Sequence, residues 1–169
     1  MPTSYGYGKP EVCAWIRERF HPTCEVLDVG AGCGTWRKLL PEFHRMDAIE
    51  IFKPSFFRLD GYREKFLADI RRFKYERYDL IIFGDVIEHL SVEDAQRVLS
   101  YARPRCTDMI VAVPFLYKQG PVGGNEAERH IQDDLTAELF SERYPGFEVL
   151  FDTGENYCYY HKAGGLWES

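Results

Sequence analysis

The chain has no surplus of positive charge: its 169 residues hold 21 Lys and Arg against 27 Asp and Glu, a net charge of -6. Nucleic-acid backbones are bound by clustered cations, so no nucleic-acid partner is expected. The one basic stretch, Arg71, Arg72, Lys74 and Arg77, is diluted by Glu76 and Asp79 and reads as a solvated connection. No apolar run reaches the roughly 20 residues that cross a bilayer. The opening MPTSYGYGKP lacks the basic-then-apolar order of a secretion signal, so no membrane partner is expected either. No two cysteines form a C-x-x-C pair; Cys13, Cys24, Cys33, Cys106 and Cys158 are odd in number and scattered, as reduced thiols of a cytoplasmic protein would be. Internal repeats, low-complexity tracts and linkers rich in Pro, Gly or Ser are also missing. With 45% hydrophobic residues the chain can bury one sizeable core, and a single domain over 1–169 is expected.

What is present is concentrated in VLDVGAGCG, at 26–34. Val26, Leu27 and Val29 suit a strand covered on both faces, and the glycines behind them allow a sharp turn beside a ligand. Gly30, Gly32 and Gly34 form G-x-G-x-G. The dinucleotide fingerprint G-x-G-x-x-G would need its third glycine where Thr35 stands. Around this run, apolar spacing predicts helices over 11–20, 35–43, 92–101 and 135–144. Extended segments are expected at 47–51, 66–69, 80–83, 109–114, 147–151 and 157–161, the last two joined by the turn-prone 152–156 into an antiparallel hairpin. The alternation of strand, loop and helix implies an α/β fold with a parallel sheet, right-handed crossovers and helices on both faces.

In such a sheet a ligand sits beyond the carboxyl ends of the strands. Four positions just there are acidic: Asp28, Glu50, Asp69 and Asp85. Each alone could be a helix cap or a solvated loop residue. Glu50, with Ile51 beside it, closes the second strand, where a carboxylate can accept both hydrogens of a ribose diol. The backbone amides of Gly30, Ala31, Gly32 and Gly34 can serve a ligand's carboxylate.

An acidic residue followed by G-x-G-x-G after the first strand resembles the first motif of class I S-adenosylmethionine-dependent methyltransferases. The stretch YDLIIFGDVIEHL, at 78–90, is similar to a D-V-x-E-H-[LV] run of many members, and the resemblance covers most of 25–114. It implies a three-layer Rossmann-like fold, with a mostly parallel seven-stranded sheet, a reversed last strand and helices on both faces. It also implies S-adenosyl-L-methionine as cofactor and S-adenosyl-L-homocysteine as product. On this resemblance Asp69 would accept from the adenine amino group with Ile70 beside it, Asp28 would hold the glycine loop and the cofactor's amino end, and Asp85 would lie between cofactor and acceptor. His89 would either face the ligand or fix the following loop.

The polar segment after the fifth strand, about 115–133, is long enough to be functional. Its Gly124, Asn125, Glu128 and His130 match a G-N-x-x-E-x-H sequence of some bacterial and phage methyltransferases. His130 is the candidate general base, with Asp85 and His89 as the other catalytic candidates. Alternatively His130 and Glu128 pin the loop. Tyr117, Gln119, Asn125 and Glu128 are candidates to orient a polar acceptor. Asp133 and Asp134 look like a metal pair, but Asp134 precedes a helix, where capping is commoner, and no metal is expected. The N-P-P-[YF] tetrapeptide of adenine- and glutamine-methylating families is absent: the residues after the fourth strand are GDVI. The expected acceptor is an O or N of a small polar metabolite or saccharide, enclosed by the 5–9 segment, the 116–132 loop or the second subunit of a homodimer. The alternative is a non-catalytic module that binds the cofactor or a partner.

Overall fold

The computed structural model describes Gly6 and residues 8–165. Seven strands form one sheet: β1 (Val26–Val29), β2 (Met46–Glu50), β3 (Lys65–Leu67), β4 (Tyr78–Gly84), β5 (Cys106–Pro114), β6 (Glu148–Asp152) and β7 (Tyr157–Ala163), in the order β3-β2-β1-β4-β5-β7-β6. The first five are mutually parallel. β7 lies antiparallel between β5 and β6. Its reversal follows from the chain: residues 153–156 are far too few for a parallel crossover, and Gly154 and Asn156 supply the left-handed conformations of a tight turn. The sheet expected from the sequence is therefore observed, reversed last strand included.

Among the described residues five helices cover it: α1 (Lys9–Arg19), α2 (Thr35–Leu39), α3 (Lys53–Phe56), α4 (Val92–Ala102) and α5 (Ala137–Arg143). The strand period of two sorts side chains between two faces. Leu80, Ile82, Ile110, Ala112 and Tyr159 pack with Val12 and Ile16 of α1 and Trp36 of α2. Ile81, Phe83, Met109, Val111 and Tyr160 pack with Ala95, Val98 and Leu99 of α4 and Phe140 of α5. The buried residues of α4, Ala95, Val98, Leu99 and Ala102, follow the i, i+3, i+4, i+7 pattern of one apolar stripe.

Helix ends differ from expectation for local reasons. α2 stops at Leu39, short of 43, because Pro41 disfavours helical geometry at Leu40. α5 begins at Ala137 rather than 135, because the Thr136 hydroxyl accepts the Leu139 N–H and sets the cap. Asp134 is thus not a cap; it forms two bonds of 2.8 and 2.5 Å with the Arg143 guanidinium. The four-residue α3 was not expected.

Candidate active site

The carboxyl ends of β1, β4 and β5 open into a cavity of ≈ 450 Å³. On one side lies the glycine loop. Gly30, Gly32 and Gly34 have φ of 68°, 53° and 73°, left-handed values that side chains rarely adopt. At Gly30 an added Cβ would stand 2.5 Å from Val86 Cγ2, so the close approach also demands glycine. The loop is tied to β2: the N–H groups of Gly30 and Ala31 donate to the Ile49 carbonyl.

Glu50 does not itself line the cavity. Its Oε2 accepts the Gly32 N–H at 2.8 Å and its Oε1 the Phe52 N–H at 2.7 Å. Each oxygen retains a lone pair, so the carboxylate holds the glycine loop in shape while keeping acceptor capacity for a hydroxyl.

Asp28 does line the cavity and is buried. Burial pushes its carboxyl up to about 7, against the opposing pull of the Tyr62 hydroxyl, which donates to Oδ2 at 2.5 Å. Asp85, at the end of β4, has φ 58°, a strained conformation for a residue with a side chain and one that clusters at functional sites. Its Oδ1 accepts from the Tyr157 hydroxyl at 2.5 Å; its buried Oδ2 has no partner among the described residues.

Three residues on, a single 3₁₀ turn (Ile87–His89) presents Glu88 and His89 to the same cavity. Glu88 is fully buried, and neither carboxylate oxygen has a partner among the described residues. Burial, with the charge of Asp85, pushes its carboxyl well above the usual range. Sequence reading passed over Glu88 although it stands inside the D-V-x-E-H run; the signal was its spacing, three residues after Asp85 and next to His89.

His89 and His130 meet across the cavity with ring centroids 4.8 Å apart. Burial, then the neighbouring His130, pushes His89 down to about 4. Burial also lowers His130. The Nδ1 of His89 lies 3.2 Å from the Arg129 carbonyl and that of His130 2.7 Å from the Tyr117 carbonyl. The loop carrying His130 is anchored by its own backbone: Ile131 and Gln132 N–H both donate to the Glu88 carbonyl.

The remaining candidates divide. Tyr117, Gln119 and Glu128 line the cavity; Gln119 also donates to the Glu128 carbonyl at 2.8 Å, and burial raises the Glu128 carboxyl. Asn125 does not line it. Its Oδ1 caps the short turn Glu126–Glu128 through the Ala127 N–H and its amide donates to Glu128, so it builds the loop rather than facing an acceptor. Asp69, Ile70 and Ile51 also lie off the cavity wall. Both oxygens of Asp69 are clasped by Arg71 at 2.6–3.1 Å, which occupies the carboxylate expected to meet an adenine amino group. Of the 5–9 segment, Tyr5 and Tyr7 lie outside the described residues. Among the described residues no helix is long and apolar enough to cross a membrane.

No family model matches the chain, and no curated protein matches it in sequence. Solved structures do match it. A methyltransferase described as S-adenosylmethionine-dependent, from Clostridium acetobutylicum, aligns with a TM-score of 0.67 at 11% identity, over 91% of this chain and 89% of its own. The 1,6-didemethyltoxoflavin-N1-methyltransferase of Burkholderia thailandensis, solved with S-adenosylhomocysteine, gives 0.64 at 20% over 92% and 77%. Magnesium protoporphyrin IX methyltransferase of Synechocystis, solved with S-adenosylmethionine, gives 0.63 at 14% over 90% and 76%. A pyocyanin biosynthetic protein and a mitomycin 7-O-methyltransferase are spanned over only 54% and 53% of their length. The chain has the class I methyltransferase fold.

Proposed function

From this fold we propose that the protein is an S-adenosylmethionine-dependent methyltransferase acting on an O or N of a small polar metabolite or saccharide. The observation that carries the reading is the continuity of one cavity from the glycine loop, braced by Glu50, to the Asp85, Glu88, His89 and His130 group. The ribose diol would take the lone pairs left on Glu50. The cofactor's amino acid end would run along the glycine loop and Asp28, directing its methyl group toward the two imidazoles. Methyl transfer is an in-line displacement, so aligning the acceptor and excluding water are the main demands on the protein. A net charge of -6 disfavours polyanionic acceptors, and five free cysteines fit a reducing, cytoplasmic setting.

Titration calorimetry tests the cofactor directly: S-adenosylhomocysteine should bind and NAD should not, and the reverse result overturns the reading. Glu50→Ala should weaken S-adenosylhomocysteine by ~1–3 kcal/mol, the worth of charge-assisted bonds to the ribose plus the lost brace on Gly32. Unchanged affinity would remove Glu50 from the site. Incubation with cofactor labelled on its methyl group and a cell extract should move label into the small-molecule fraction. Binding without any transfer of label would instead mark a non-catalytic module.

A further inference from the structure

We propose that Glu88, His89 and His130 form a binding site for one first-row divalent cation of the zinc or manganese class, with open coordination positions facing the cavity. One donor atom from each of the three lies within 4.8 Å of the others. Two of the ligands are adjacent on one turn and the third, on the loop, brings its ring centroid within 4.8 Å of that of His89.

The state of each ligand supports this independently. Buried polar groups are normally hydrogen-bonded, and exceptions call for an explanation. Five buried side-chain atoms lack a partner among the described residues; three of them are Glu88 Oε1, Glu88 Oε2 and Asp85 Oδ2. Other buried acids are matched: Asp47 by Arg63 and Tyr78, and Asp108 by Arg19 and His161. Among the described residues the unpaired buried carboxylates are therefore confined to this cavity.

The imidazoles complete the set. A carbonyl oxygen can only accept, so in each neutral ring Nδ1 carries the hydrogen toward Arg129 or Tyr117, leaving Nε2 with its lone pair. That is the tautomer and orientation that backbone carbonyls impose on metal-binding histidines. Two imidazoles favour zinc or iron over magnesium and calcium, which prefer all-oxygen sites, and the carboxylate admits manganese. Three protein ligands leave positions open, as in catalytic rather than structural sites. The ligand class that fits there is an oxygen of the acceptor, a hydroxyl above all, with Asp85 Oδ2 beside it to receive a hydrogen bond. The lone pair assigned to His130 as a base on sequence grounds thereby gains another use. Asp133 and Asp134, the pair that suggested a metal in the sequence, do not contribute; Arg143 holds Asp134.

The test uses the chelator-stripped whole chain, titrated calorimetrically with ZnCl₂, MnCl₂ and MgCl₂, with Co²⁺ as a spectroscopic probe. Zn²⁺ or Mn²⁺ should bind at one per chain and Mg²⁺ more weakly. Glu88→Gln and His130→Ala should each weaken that binding by more than about 100-fold. His130 sits on a half-buried loop, so its variant remains informative if Glu88→Gln fails to fold. Absence of 1:1 binding, affinity retained in His130→Ala, or a thiolate charge-transfer band with Co²⁺, pointing to Cys33 in the same wall, overturns the proposal. S-adenosylhomocysteine affinity, measured without metal, reports separately on the methyltransferase reading.

Discussion

Asp28→Asn should be more stable than the native chain at pH 8, and it should bind S-adenosylhomocysteine less tightly. The Asp28 carboxyl is buried on β1 and its pKa stands at about 7 in the fold, against roughly 3.9 in an unfolded chain. A raised acid holds its proton more firmly when folded. Its favourable contribution is complete below about pH 4 and is lost as pH rises through about 7, where the fold must bury a carboxylate. The gap of about three pKa units corresponds to roughly 4 kcal/mol between those limits. Asparagine has the same shape, still accepts from the Tyr62 hydroxyl and never ionises. Urea denaturation of both proteins from pH 4 to 8 should show the difference growing in the variant's favour across that interval. His89, shifted the opposite way, and Glu88, shifted the same way, cancel in that difference. A difference that does not change with pH would show that Asp28 is not the strained acid described. On the proposed reading the acid is kept for function: only a carboxylate would offer charge to the cofactor's amino group, so that stability is yielded at a binding site.

How legible such a site is depends on what leaves a local mark. Gly30, Gly32 and Gly34 were legible because their left-handed φ values exclude most other residues, and a steric demand of that kind is written into sequence directly. The hairpin of β6 and β7 was legible from its short turn. Glu50 stood out by its place at a strand end, but its bond to Gly32, 18 residues away, is one that no local pattern encodes. At Asp69 the fourfold repetition of acids at strand ends drew attention to a carboxylate that a plain local pairing with Arg71, two residues on, already engages. Glu88 was passed over for the opposite reason. An acid next to a histidine in the turn after a strand looks solvated, and only the assembled fold shows it fully buried, with the loop backbone at 131–132 bonded to its carbonyl. Burial of a charged side chain is a tertiary fact, and it is the fact on which the chemistry of this cavity turns.

His130→Ala should lower methyl transfer by about 10²–10⁴-fold, the range that removal of a positioned acid, base or equivalent activating group produces. Transfer is read as label moved from cofactor to the small-molecule fraction of an extract. Cofactor affinity should stay nearly constant, because the hydrogen bonds of His130 run to Tyr117 and Gln119, not to the glycine loop or Glu50. The expectation rests on position and charge state together. The ring lines the cavity within 4.8 Å of His89, burial keeps it neutral, and the Tyr117 carbonyl fixes which nitrogen is bare. A side chain that only braced the loop would behave differently, raising the acceptor's KM or lowering stability while leaving kcat intact. Chelator treatment of the native chain then distinguishes the uses of that nitrogen. If it holds a cation, the stripped native chain should fall to the level of the variant, and added Zn²⁺ or Mn²⁺ should restore the native chain but not His130→Ala. If it takes the acceptor's proton unaided, stripping should change nothing while the substitution still silences transfer. Full transfer by the variant would exclude both, and would move the chemistry to Asp85 and Glu88 in the same cavity wall.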